Sequence, residues 1–445
     1  MENLTSFKND LLGRESIAIN LTRIIENAKD INVISIDSSW GTGKTTFIKM
    51  WMDMLNNDEY KDKFNTLYFN AWKNDYIKDP FTALLTEIKV STSGDIKEAF
   101  KDAMKVGEKI IESTTNVFLK IVTAGALGLD EFKFKGIKDS IMKCIIDEKN
   151  NREEFIEKLE SLACEDKKII FFIDEIDRCR PNFAIELLEV IKHLFTANNV
   201  FFVISVDKEQ LSHSISTLYG QGMDSNGYLR RFFDLEYKMP IVDKIKYFDL
   251  KNKTFTDKYN CSYLLSVLNK LMIRDNYSLR DVEKTYEFLN ILIPMTNILG
   301  KIEYVVNDNN DYRMLNYLLA FLINIKIKHD SIYNKIINKN YNNIDIDGLL
   351  SFNNIKYIKF EEDNADNKLL IEFFEKTINY YLRLLKYINN GQVDNAIWRD
   401  SGLRNSFVVN YGVGYEYDLV KYFGISKLDF ISELEMMNNF ELNNQ

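Results

Sequence analysis

The run Ser38-Ser39-Trp40-Gly41-Thr42-Gly43-Lys44-Thr45-Thr46 constrains this chain more than any other segment. It follows a short β-rich stretch, 31–36, and opens a helical pattern from about Lys44. Glycines let backbone N–H groups turn inward around an anion with no side chain in the way. The helix that follows presents its positive end to the same point. Lys44 suits the β- and γ-phosphates of a bound nucleotide, and the Thr45 hydroxyl suits Mg²⁺. Ser38 stands where such loops usually open with glycine. Serine tolerates a tight turn less freely, so the geometry at Ser38 is the open point of this segment.

A second run, Ile169-Ile170-Phe171-Phe172-Ile173-Asp174-Glu175, is an apolar strand ending in two acids. At the carboxyl end of a parallel strand, Asp174 faces the ligand crevice and can hold Mg²⁺. Glu175 is placed to orient or deprotonate an attacking water. Taken alone, the two acids could equally cap the next helix; beside the loop at 38–46 the catalytic reading is favoured.

The rest of the first half alternates strand and helix. Helices are expected at 15–28, from Lys44, at 80–90 and along 97–120. Strands are expected at 31–36, 66–70, 168–173 and 199–206. The last two are continuous apolar runs, the pattern of strands buried on both faces of a parallel sheet. The fold class is therefore α/β: a doubly wound, mostly parallel sheet followed by a mainly α-helical C-terminal region. Helical patterns at 313–328 and 367–388 are the clearest in that region, and 406–417 reads as a hairpin. Only four prolines occur, Pro80, Pro181, Pro240 and Pro294. The boundaries place an α/β core at 1–240 with a helical insertion at about 96–140, a helical segment at 241–300 and a further helical domain at 301–445.

Composition narrows the partners. The net charge of −9 argues against non-specific nucleic-acid binding by the whole surface, while a local basic patch stays open. Four scattered cysteines form no CxxC pair, and His193, His213 and His329 form no metal spacing. A reducing cytoplasm is expected, and the polar opening MENLTSFKND lacks the apolar centre of a signal peptide. The apolar segment 117–129 carries Lys120 and is short of the ~20 residues of a bilayer span. A buried or partner-facing helix is the favoured reading there; peripheral membrane contact is the alternative.

The residues after the acidic strand, Asp174-Glu175-Ile176-Asp177-Arg178-Cys179-Arg180-Pro181, resemble the I-D-[DE]-[LI]-D-R-C signature of the KAP family of P-loop NTPases. Asp10 to Glu15 is similar to that family's D-x-L-G-R-x start, and Trp40 stands where its loop has W-G-x-G-K-[ST]. Phe69-Asn70-Ala71-Trp72 resembles its F-N-x-W motif. The strand reaching Asp207 with Glu209, the segment Tyr228 to Phe233, and Ser278-Leu279-Arg280-Asp281 resemble three later motifs, the last with Leu279 in place of proline. The resemblance covers roughly residues 8–290.

It implies ATP binding and hydrolysis in a relative of the STAND and AAA+ groups, with 241–300 as a helical lid. Some members of the family act in phage exclusion or defence. Asp207 then occupies a position that commonly senses the γ-phosphate, although a plain helix cap fits it as well. Arg230 and Arg231 are candidates for an arginine finger offered to a neighbouring subunit, in a segment whose Phe232 and Phe233 suit an interface. Arg280 is the candidate for a contact from the lid. Trp72 is expected in the core. The leading expectation is an ATPase with Mg²⁺ that works as a conformational switch, through self-association or a protein partner. The alternatives are an ATP-dependent interaction module with negligible turnover and an ATP-driven nucleic-acid effector.

Overall fold

Apolar residues that run without interruption through a strand must be covered on both sides, and two segments of this chain do so. The computed structural model describes residues 6–27, 30–57, 59–91, 100–113, 131–163, 167–194, 197–296, 309–328 and 333. Strands β3 (Lys168–Asp174) and β4 (Val200–Val206) are buried at every position. With β1 (Val33–Asp37), β2 (Phe64–Asn70) and β5 (Leu235–Lys238) they form a sheet of order β2-β3-β4-β1-β5. All four pairings are parallel. Parallel neighbours need crossovers, and the helices lie on both faces.

The two-residue period of the strands sorts their side chains onto those faces. Ile34, Ile36, Ile170, Phe172 and Val203 pack with Leu21 and Ile25 of helix α1 (Glu15–Asn27) and Phe47, Trp51 and Leu55 of helix α2 (Lys44–Leu55). Ile169, Phe171, Ile173, Phe202 and Ile204 face the other way. They meet apolar residues of the helix at 100–113 and of the helices Pro80–Ser91, Glu131–Leu162, Pro181–Leu194 and Lys208–Tyr219. Pro80 and Pro181 each stand at the first helical position, where the missing N–H costs nothing and the fixed φ suits a helix. At the far end of the sheet, the buried Lys168 ammonium donates to the Ile25 and Glu26 carbonyls, 3.0 and 2.8 Å. Those are carbonyls that the last turn of α1 leaves open.

The chain divides into two compact units, the first ending at Val242 and the second beginning at Asp243. The described part of the second is helical: Lys244–Tyr259, Ser262–Arg274, Leu279–Thr296 and Asn309–Lys328. Inside it the buried Tyr277 hydroxyl donates to Asn324, whose amide donates to Asp275, both at 2.7 Å.

Strand β5 is absent from the sequence reading. It has four residues, half of them exposed, and follows a turn with no strong apolar run. The segment 117–129, the helical pattern at 367–388 and the hairpin pattern at 406–417 lie outside the described residues. Among the described residues no helix is long and apolar enough to cross a membrane.

Trp51 is fully buried, edge-on to Phe172 at 5.2 Å, with its indole N–H on the Thr22 hydroxyl at 2.9 Å. Truncation to Ala leaves a large cavity, while the Thr22 hydroxyl keeps its bond to the Ala18 carbonyl at 2.8 Å. The truncation is expected to lower the opening free energy of the β3 and β4 amides by about 3–5 kcal/mol. Native-state hydrogen exchange measures this; unchanged protection would show that the sheet does not depend on this packing.

Candidate phosphate-binding site

The turn from β1 into α2 gathers the residues of the loop. Gly41 and Gly43 have φ of 75° and 85°, a region where a Cβ is strained, which is why glycine stands at both. Ser38 is not in that region. Its backbone N–H continues the sheet by donating to Val206 O at 3.1 Å. The Thr42 hydroxyl donates to Ser39 O at 2.8 Å, so the short 2.5 Å contact between Ser38 Oγ and Thr42 Oγ1 is donated by Ser38. Serine thus fits the opening of the loop and braces it from within. Thr45 and Thr46 lie half-buried in the first turn of α2.

The loop is held from behind by a residue to which no role was assigned in the sequence. Arg14, 4% exposed, donates to Thr42 O at 2.9 Å and to Gly43 O at 3.4 Å. Its guanidinium neutralises carbonyls that point away from the loop's N–H face. Burial pushes it down from the usual arginine range, against the pull of Asp10.

Lys44 donates to Ser38 O at 2.5 Å and Ser39 O at 3.2 Å. Burial pushes its ammonium down, while the carboxylates of Asp177, Asp207, Asp174 and Asp37 push it back up. Three of these acids end parallel strands or directly follow them: Asp37 on β1, Asp174 on β3, Asp207 after β4. The lysine therefore lies in the electrostatic field of the carboxyl edge of the sheet, where α/β proteins bind ligands.

Asp174, 1% exposed, accepts from the Tyr68 hydroxyl at 3.1 Å and from the Glu175 N–H at 3.0 Å. Burial, then Asp174, push the Tyr68 phenol up, so it stays a donor. Glu175 has φ 60° and ψ 30°. Among the described residues the other three non-glycine residues at positive φ are Asn199, Asn260 and Asn276, and asparagine tolerates that region. Glutamate there is strained, by about 1–2 kcal/mol. Its Oε2 accepts from Asn70 Nδ2 at 2.8 Å, and its Oε1 pairs with Arg178 at 3.0 Å. The Arg178 guanidinium lies 5.5 Å from the centre of the Trp72 ring. Trp72 is 46% exposed, which corrects the expectation of a core residue.

Asp207 is a helix cap: its Oδ1 accepts from Gln210 N at 3.3 Å. Its Oδ2 also accepts from Trp40 N at 3.1 Å, so the same carboxylate reaches the loop. Cys179 is buried and its thiol is pushed up by that burial, which fits a packed side chain. Arg230 and Arg231 are exposed at the turn after the short helix Ser225–Leu229. Phe232 and Phe233 are buried in the core, so they are not offered to a partner as expected. Arg280 is exposed on the helix Leu279–Thr296 of the second unit. Among the described residues no cluster of His, Cys, Asp or Glu has the form of a metal site.

A family model described as the KAP family P-loop domain matches residues 14–261, more than half of the chain. The chain belongs to the KAP family. A relative of this KAP chain, the phage T7 exclusion protein of Escherichia coli strain K12, is 23% identical over 265 residues. The match covers 55% of this chain and 34% of the relative, so the chain spans about a third of that protein's length. Among solved structures, the ADP form of the Aeropyrum pernix ORC2 protein is similar at 11% identity and a TM-score of 0.36, over 85% of this chain and 93% of that one. The C. elegans PCH-2 structure is similar at 12% identity and a TM-score of 0.31, over 71% of this chain and 70% of that one.

Arg14, which braces this loop, and Asn70, which holds Glu175, lay inside family motifs without a function of their own. The signal was their polarity in otherwise apolar or glycine-bearing surroundings. Replacing Arg14 with Ala removes two charge-assisted bonds, each of which contributes about 1.5–3 kcal/mol. Amides 41–46 are expected to exchange at least about tenfold faster, measured by hydrogen exchange with mass spectrometry. Unchanged exchange would mean the loop holds its shape without this brace.

Proposed function

We propose that this chain binds ATP with Mg²⁺ and hydrolyses it, and that the cycle works as a conformational switch. The observation that carries the reading is the position of Lys44: it stands at the start of a helix, beneath a loop turned by two left-handed glycines, facing acids from three parallel strands. In this reading the loop, Ser38 to Thr46, holds the phosphates through its N–H groups and Lys44. Asp207 lies beside the γ-phosphate. The Thr45 hydroxyl and the Asp174 carboxylate are oxygen donors of the kind Mg²⁺ takes and are the residues that would hold it. The ion would offset the charge of the phosphate oxygens.

Glu175 is the base. It takes a proton from a water whose oxygen attacks the γ-phosphorus, and the bond to the β–γ bridging oxygen breaks, so that ADP leaves with that electron pair. Its strained backbone aims the carboxylate, and Asn70 and Arg178 fix one direction on each oxygen, leaving a lone pair on each for a proton. The same two contacts favour a second reading, a module that binds ATP with negligible turnover, because they hold the carboxylate against the protein.

Residues 241–300 act as a lid, in the cytoplasm, and Arg280 serves in cis from it. The relative named for phage T7 exclusion supports a place for the switch in phage exclusion or defence.

Two tests follow from the assigned roles. Lys44→Ala should abolish tight ATP binding by calorimetric titration. Glu175→Gln should bind ATP while phosphate release falls by roughly 10²–10⁴-fold. Wild-type affinity in the first, or wild-type turnover in the second, would remove that residue from its role.

A third test concerns the exposed arginines. Of the core's cations near the site, Arg178 is paired with Glu175 and Arg14 is bonded to the loop carbonyls, and the charge of the transferred phosphoryl group is commonly met by an arginine from a neighbour. Specific activity should rise with protein concentration. Mixing the Arg230→Ala/Arg231→Ala protein with Glu175→Gln protein should restore turnover. Activity linear across a dilution series, with no complementation, would leave these arginines as surface residues.

A further inference from the structure

The order β3-β4-β1 leaves one strand between the phosphate loop and the turn after the acidic strand. With neighbouring strands about 4.8 Å apart, β1 and β3 are separated by about 10 Å. Trp40 crosses that gap. Its backbone N–H donates to Asp207, after β4, at 3.1 Å. Its indole N–H donates to Asp177, in the turn Ile176–Arg178 after β3, at 2.5 Å. The ring itself is 47% exposed, whereas both acids are 7% exposed. With half of the residue in solvent, the indole bond to Asp177 is the polar contact that fixes the ring, and the backbone bond to Asp207 fixes the chain that carries it.

The residue type fits the task. Phenylalanine has no donor. Lysine or arginine would bring a second cation beside Lys44. Tryptophan is long, rigid and neutral, with a donor at its far end. The loop depends on where Trp40 sits: Ser38 and Ser39, just before it, give Lys44 its two carbonyl acceptors, and Gly41, just after it, makes the first left-handed turn.

We propose that Asp177 is a positioning residue for the phosphate loop, acting through the Trp40 indole strapped across β4. The proposal rests on the nucleotide-binding reading above. It differs from a purely electrostatic role, in which Asp177 only offsets the charge of Lys44. Trp40→Phe leaves every charge in place and removes the strap.

The test uses the full chain labelled with ¹⁵N at its four tryptophans. Trp40→Phe identifies the Trp40 indole signal by its loss. That signal should be displaced from the solvent position and slow to exchange. It should remain so in Asp177→Asn, which keeps an acceptor, and move to the solvent position in Asp177→Leu. Calorimetric titration with ATP and Mg²⁺ is the second readout. Trp40→Phe should weaken binding about tenfold, Asp177→Leu by more because it also removes a carboxylate beside Lys44, and the double variant no further than Asp177→Leu, since the indole bond is already lost. Asp177→Asn should weaken it less than Asp177→Leu. A Trp40 indole that is solvent-like in the wild type, or a double variant about tenfold weaker than Asp177→Leu alone, would overturn the strap. If the wild-type chain binds no ATP, the nucleotide reading fails, and the indole spectrum still decides whether Asp177 holds Trp40.

Discussion

A half-buried ammonium group favours carboxylates around it, and the ends of the parallel strands in the first unit supply them. Lys44 is fixed at the start of α2 by the loop, and its charge is met by acids at the carboxyl ends of β1, β3 and β4 and by Asp177 just beyond β3. Those acids converge only because the strands are parallel and end at one edge. An antiparallel sheet would divide them between two edges. The apolar faces of the sheet keep the strands in that order, and the lysine and its carboxylates can then share one crevice.

The parts of this arrangement that were legible in the sequence are those with a strong local signature. The unbroken apolar runs of β3 and β4 read as doubly covered strands, and they are buried at every position. The glycines at 41 and 43 sit where the backbone turns left-handed. What the sequence did not show are contacts between distant residues. Arg14 reaches the loop from 28 and 29 positions away, and Asn70 reaches Glu175 across 105. Strand β5 was missed for a different reason: its alternation, LEYK, runs for only four residues at the edge of the sheet, too short for the period to stand out. Trp72 was read as core because large aromatics usually are, yet here a guanidinium covers its face while the rest meets solvent.

Ser38 shows how a departure from a usual pattern can be absorbed. A first-position glycine is needed only where the backbone has positive φ, and at 38 it does not. The serine hydroxyl then ties to Thr42 across the loop. Glu175 is the opposite case. Its backbone does take a left-handed conformation, and the side chain is held at both oxygens. Strain of that kind persists only where the surroundings over-determine the residue, and it is concentrated at working sites.

The edge strand β5 gives the first unit a mechanical property. It lies directly against β1, in parallel register from Ile34↔Leu235 to Asp37↔Lys238, and the next residue, Met239, donates its N–H to Asp37 O at 3.0 Å. The chain leaves the sheet there and begins the second unit within a few residues. Tension applied to the chain beyond Met239 therefore loads the β5–β1 ladder along its length. In that direction the bonds resist together, in shear, and do not peel one at a time. The strand that takes the load is the one that carries the phosphate loop at its tip.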